Sequence, residues 1–435
     1  MKRLMLGSLL SAGLKIISAG LSFLMFMFLA RALGPVEYGL FASMFALGTV
    51  GAIVALFGQH TLSIKTLSAL GEGPGQAADR RQMMRQGYRI VLAGISLVIA
   101  VLLGGGAIAG ALGFDLDMRY LIGACALLLP LALADLVSHQ YRAFGSIFWA
   151  LAPRDVVWRG AVVLACLAAA SLPFFFANAL VAMMAISVTL MIIVALQIIS
   201  SIKTHRHRFA APPDVQNSPK MPWRISAWMW LASLGTMGGS LNLSATSLFL
   251  PPEQIGAYFA AQKTSQLLQL PIIAIDIAVT PVFARLYSQN DIAGLRNVGR
   301  NLAMLVAIPL AIGAAVIVGF APQLLALFDP AFISATLALT LLAGSYLVIG
   351  LGGPTRQLML MADGERQVVR MTLISEAVGL ALIPILVPLF GILGAAMAAC
   401  VARVLFTMMT VLWCRKHLSV DTSVLSLVPG LSIAR

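Results

Sequence analysis

Charge is what this chain lacks most: only 10% of its 435 residues are Asp, Glu, Lys or Arg, and just 16 are acidic. Paired carboxylates for acid–base catalysis are absent, and so is a Gly-rich phosphate loop, so neither an ATP-driven engine nor hydrolytic chemistry is implied. The five histidines form no cluster, since His205 and His207 sit together in a basic stretch remote from the others. The four cysteines (Cys125, Cys166, Cys400, Cys414) lie in or beside apolar runs without metal-ligand spacing and read as small core residues. No catalytic residue, metal ligand or cofactor is therefore expected.

What fills the chain instead is apolar. Hydrophobic residues make up 60% and mean hydropathy is +0.95, far above the balance of a soluble core and its polar surface. Runs near the 20 residues that cross about 30 Å of hydrocarbon recur from end to end. About twelve are readable, near 7–31, 37–58, 88–112, 119–138, 156–176, 178–201, 226–250, 254–282, 301–328, 332–361, 367–389 and 391–414. Helices are expected because an unpaired backbone amide in lipid is too costly. The MKRL start imitates a secretory signal, but the run after it is long, carries Lys15 and has a counterpart deep in the chain, so cleavage is not expected.

The net charge of +13 is informative through its placement. With the N-terminus inside, 24 of the 29 Lys and Arg fall on the cytoplasmic side and only Arg31 and Arg119 outside. That asymmetry follows the positive-inside rule, puts both termini in the cytoplasm and argues against nucleic acid as the partner of the basic charge. Lys15, Lys263 and Arg403 remain within spans.

The sequence repeats itself weakly. LGPVEYGLFA at 33–42 aligns with LPPEQIGAYF at 250–259 at an offset of 217, pairing Pro35 with Pro252 and Gly39 with Gly256. LPFFFANALVAMMA at 172–185 aligns with VPLFGILGAAMAAC at 387–400 at an offset of 215. An N-lobe at 1–201, a cytoplasmic linker at 202–224 and a C-lobe at 225–435 follow, with six spans in each lobe. An even offset in spans implies a pseudo-twofold axis along the membrane normal, an architecture of transporters.

Polar residues fall in stripes. Ser8, Ser11, Lys15, Ser18 and Ser22 share one face of the first helix, and shifting by 218 gives Ser226, Met229, Ser233, Thr236 and Ser240 on the seventh. These faces either line a hydrated cavity between lobes or pack helices closely. On the eighth helix Tyr258, Gln262, Gln266, Gln269, Asp276 and Thr280 share a face that must meet protein or water. An ionised group at mid-membrane is unfavourable by roughly 2.5–3.5 kcal/mol on insertion scales, so Lys15, Lys263 and Arg403 are candidate substrate-binding cations. Arg403 has an alternative, an ion pair with Glu376; Asp276 and Glu376 read either as structural partners or as sites of ion coupling, and for Asp135 structural pairing is expected.

ARALGPVEYGLF after the first span, the basic segment between spans two and three, and GILGAAMAACVARVLF near the end resemble the polysaccharide and O-antigen flippases of the multidrug/oligosaccharidyl-lipid/polysaccharide exporter superfamily. The resemblance implies alternating-access transfer of a polyprenyl-pyrophosphate-linked oligosaccharide across the bacterial inner membrane, to the periplasmic leaflet, for O-antigen, capsule or exopolysaccharide export. It also implies cations that meet the pyrophosphate. Lys15 and Lys263 fit that role best, with Arg31 at the periplasmic mouth either anchoring the helix end or guiding the headgroup, and membrane lipids and polysaccharide-assembly proteins as partners. Drive would come from an ion gradient or the membrane potential. A multidrug or organic-cation antiporter of the same superfamily is the alternative, and it should show an acidic, aromatic-lined cavity. A major-facilitator transporter is disfavoured, because SALGEGPGQAADRRQMMRQG lacks that family's signature spacing.

Overall fold

The computed structural model describes residues 2–70, 77–113, 117–169, 178–204 and 223–423. Most of the expected linker and residues 172–177 of the second repeat match lie outside them. Among the described residues there is no strand. The helices are α1 (Lys2–Ala55), α2 (Gln59–Ala69), α3 (Ala77–Ala111), α4 (Met118–Ala143), α5 (Ile147–Ala152), α6 (Trp158–Ala169), α7 (Ala179–Thr204), α8 (Trp223–Leu234) and α9 (Gly238–Thr246). They continue as α10 (Pro252–Ser265), α11 (Gln269–Ser288), α12 (Ile292–Gly319), α13 (Ala321–Ala326), α14 (Thr336–Gly352), α15 (Thr355–Met361), α16 (Glu365–Phe390) and α17 (Ile392–Trp413).

Eight helical segments among the described residues are long and apolar enough to cross a membrane unaided. The first of them, running to Ala55, holds the first two expected spans, bent where Gly34 takes φ 73° and ψ 171° ahead of Pro35. That backbone is open essentially only to glycine, and proline removes the next amide donor. The other expected crossings are broken helices. Residues 223–246 are interrupted by a 3-10 turn at Gly235–Met237, residues 252–288 by one at Gln266–Leu268, and residues 147–169 by a π turn at Pro153–Val157. With these, twelve crossings are accounted for. One expected boundary is corrected: the run 332–361 is not one helix, because Gly353 (φ +71°) and Pro354 end α14 and start α15.

Packing divides the chain into two compact units. The first comprises Met1–Ala19, Gly34–Gly39 and Asn242–Arg435; the second comprises Gly20–Leu33 and Leu40–Leu241. In the second unit α4 is the hub, with Leu127, Leu128, Ala132 and Leu136 fully buried against its neighbours. Polar groups there close on backbone: Tyr141 Oη donates to Gln197 O at 3.0 Å, Trp158 Nε1 to Ile186 O at 3.0 Å and Ser138 Oγ to Ala150 O at 2.6 Å. Asp135 and Arg154 pair, as expected for a carboxylate on an otherwise apolar helix.

In the first unit α14, α16 and α17 pack closely, and Tyr258 anchors α10 to them. Its hydroxyl donates to Asn242 Oδ1 at 2.6 Å, with Ala395 O 3.3 Å away. Segment Gly34–Gly39 lies in this unit against the start of α10, where Tyr38 packs between Phe259 and Phe332, ring centroids 5.8 and 5.7 Å away.

Candidate functional site

Inside the first unit a cavity of about 280 Å³ opens among α11, α12, α14, α15 and α17. The break at Gly353–Pro354 makes it possible. It turns α15 away from α14, so that Thr355 meets α17 and Arg356 faces α11 instead of extending the helix. Ile272, Ile273, Val306, Ile349 and Phe406 supply an apolar wall. Gln269, Asp276, Tyr346, Arg356, Thr407 and Thr410 supply the polar groups.

These groups are tied in place. Gln269 Nε2 donates to Tyr346 Oη at 2.8 Å, and Thr355 Oγ1 and Thr410 Oγ1 share a hydrogen bond of 3.1 Å. Asp276 lies within Coulomb reach of Arg356. Behind Tyr346, Arg403 donates to Ser345 Oγ at 2.8 Å and lies 4.5 Å from the centre of the Tyr346 ring. Such a cation–π contact orients both side chains and is worth most where water is scarce.

Of the residues singled out in the sequence, Gln269 and Asp276 line this cavity and Arg403 stands directly behind its wall. Glu376, half-buried on α16, is within Coulomb reach of Arg403. The others lie elsewhere. Gln262 is buried, and Lys263 sits 4.9 Å from the Phe259 ring centre with Gln266 Oε1 3.4 Å away. The 3-10 turn at Gln266–Leu268 explains the parting, because it changes the helical phase between Gln266 and Gln269. Lys15 and Ser11 are half-buried and Ser18 is buried, all in the first unit. Ser22, Arg31, Thr236 and Ser240 belong to the second unit, where Arg31 and Thr236 are exposed.

Tyr346, Arg356, Thr407 and Thr410 were not singled out from the sequence. The signal was present in the Thr-x-x-Thr spacing on α17 and in GGPTR at 352–356, a helix break followed by a cation. Among the described residues no group of three or more His, Cys, Asp or Glu is arranged to hold a metal ion. A carboxylate, a guanidinium and a greasy wall around one small cavity suit an amphipathic solute with a charged end.

No family model and no curated protein sequence matches the chain. Solved structures do. An inward-facing multidrug resistance MATE family transporter of the MOP superfamily aligns over 92% of this chain and 94% of its own, with TM-score 0.73 and 16% identity. The fold is that of the MATE transporters. An outward-facing multidrug resistance MATE transporter aligns over 95% of both chains, with TM-score 0.62 and 15% identity. A MOP superfamily transporter from Pyrococcus furiosus, whose binding pocket of reversed polarity suggests a different function, aligns over 95% of both chains with TM-score 0.61 and 15% identity. The two-lobe, twelve-helix expectation is thus met by the MATE fold.

Proposed function

We propose that this protein is an alternating-access exporter whose cargo is a polyprenyl-pyrophosphate-linked oligosaccharide, moved from the cytoplasmic to the periplasmic leaflet of a bacterial inner membrane with both termini cytoplasmic. The observation that carries this reading is the excess of cations among the membrane-embedded polar residues of the first unit. Lys15, Lys263 and Arg403 stand against Asp276 and Glu376. A bare pyrophosphate would face a barrier of tens of kcal/mol in hydrocarbon. Fixed cations and hydroxyls lower it, while the polyprenyl tail stays in lipid. In this reading Lys15, Lys263 and Arg403 meet the anionic headgroup. Asp276 and Glu376 couple the conformational cycle to an ion gradient.

A second reading is organic-cation antiport, and the names of the solved neighbours support it more than they support the first. Its specific observation is Asp276 in one cavity with Tyr346 and Phe406, a carboxylate beside two aromatic rings. For the Pyrococcus neighbour, reversed polarity of the binding pocket suggests a different function on a similar fold.

Reconstitution separates the two. Proteoliposomes receive either a fluorescent polyprenyl-pyrophosphate glycan, followed by leaflet exchange, or ethidium, followed by uptake against a proton or sodium gradient. Glycan exchange that falls in the Lys15→Ala, Lys263→Ala double variant supports the first reading. Ethidium transport with no glycan exchange replaces it by the second.

A further inference from the structure

Helix α3 is too long for its task. Its 35 residues rise about 52 Å, whereas a bilayer's hydrocarbon is about 30 Å thick. If the apolar part from Ile90 to Ala111 fills the hydrocarbon, the roughly three and a half turns from Ala77 to Arg89 stand in the headgroup layer or beyond it. Those turns hold four arginines against one aspartate, Asp79.

The arginines divide between two faces. Arg80 is buried with Met83, Gly87 and Val91 along the side that packs into the second unit. Arg81, Arg85 and Arg89 are exposed on the opposite side at i, i+4 and i+8, a straight stripe about 12 Å long. The exposed side then continues through Leu92, Leu97 and Val101, which are 47%, 65% and 63% accessible and suit lipid chains. Arg89 thus sits within one turn of the start of an acyl-chain surface, at Leu92. Arg89 falls at the hydrocarbon edge, Arg85 about 6 Å beyond it and Arg81 about 12 Å beyond.

We propose that Arg81, Arg85 and Arg89 form a binding site for the headgroups of anionic phospholipids, whose acyl chains lie along Leu92, Leu97 and Val101. The planar guanidinium matches phosphate oxygens two at a time, which a lysine ammonium does not. The site lies outside the cavity of the first unit and is independent of the cargo assigned above.

The test uses the full-length protein in detergent, given phosphatidylglycerol or phosphatidylcholine. Bound lipid is counted by native mass spectrometry, and lipid-dependent shifts in melting temperature are recorded. Wild type should hold phosphatidylglycerol about tenfold over phosphatidylcholine, and the preference should vanish in about 0.5 M salt. Arg81→Gln, Arg85→Gln, Arg89→Gln together should abolish it, the corresponding lysine triple should keep part of it, and the control pair Arg366→Gln, Arg370→Gln should leave it intact. If the glutamine triple does not fold, Arg85→Gln alone should still reduce the preference several-fold. A preference that survives the arginine losses, that falls equally in the control pair, or that yields only to polyprenyl pyrophosphate overturns the proposal.

Discussion

The backbone of Gly39 lies flush against the carbonyl of Pro252, leaving no room for a side-chain carbon on Gly39. Both residues belong to the repeated turn. The reciprocal contact is looser: a carbon on Gly256 would meet Pro35 O at 3.1 Å and Gly39 N at 3.3 Å. The matched prolines and glycines of the two repeats are therefore the points at which those turns touch inside the first unit. Gly39→Ala should lower stability by about 1–3 kcal/mol through overpacking. Gly256→Ala should be milder, and Gly13→Ala, where a methyl group meets nothing within 4 Å, close to neutral. Thermal denaturation of the purified variants checks the order; a Gly39→Ala protein that melts with wild type would contradict it.

The Asp135–Arg154 pair makes a second prediction about the fold. The side chains are 13% and 29% accessible, so each depends on the other more than on water. Arg154→Ala strands the carboxylate and should destabilise by about 3–5 kcal/mol. Removing both charges with Asp135→Asn and Arg154→Gln should do less harm than that single change. A double-mutant cycle in denaturant that returns no coupling would show the pair to be incidental.

Much of this was legible in the sequence. The length of the apolar runs and the Gly34–Pro35 bend follow from local chemistry, and the repeat aligned Gly39 with Gly256. Gln269 and Asp276 were found because a polar residue on an apolar helix must have somewhere to go. Within the stripes, some hydroxyls serve the backbone. Ser226 donates to Phe57 O at 2.7 Å and accepts from Gln59 at 2.8 Å, while Ser233 and Thr236 bond carbonyls of their own helix at 2.7 Å each. Such back-bonding bends helices and is invisible to a count of polar spacings. Arg356 was missed for another reason: GGPTR marks the break, but what the arginine faces after it depends on tertiary packing, where Thr422 closes over Gly353.

Outside the membrane, Asp117 caps α4, accepting from the Arg119 backbone amide at 2.9 Å and pairing with the Arg119 guanidinium at 2.9 Å. The arginine holds this carboxyl below its ordinary range. Because the folded-state value is the lower one, the contribution is complete above the unfolded pKa of roughly 4 and disappears as pH falls through the folded value. The pair is solvent-exposed, so well under about 1 kcal/mol is at stake. Melting temperatures of wild type and Asp117→Asn should differ slightly at neutral pH and converge in acid. A gap that persists or widens in acid contradicts the assignment.

Each reading gives one of the cavity charges to the cargo, so their removal should divide the two readings cleanly. Asp276→Asn keeps the size of the side chain while deleting the negative charge in the cavity it shares with Tyr346 and Phe406. If organic cations are carried, it should lower ethidium uptake at least about tenfold, since a desolvated cation loses its counter-charge. Arg356→Gln should then leave uptake unchanged or raise it. With an anionic glycolipid the pattern reverses: Arg356→Gln slows exchange by about tenfold or more, because charge-assisted phosphate bonds are the strong ones. Asp276→Asn then affects only the dependence of the rate on the driving ion gradient. Measuring both cargoes on both variants in one vesicle preparation gives four rates. Equal loss of all four would mean that the two side chains hold the cavity's shape and meet neither cargo.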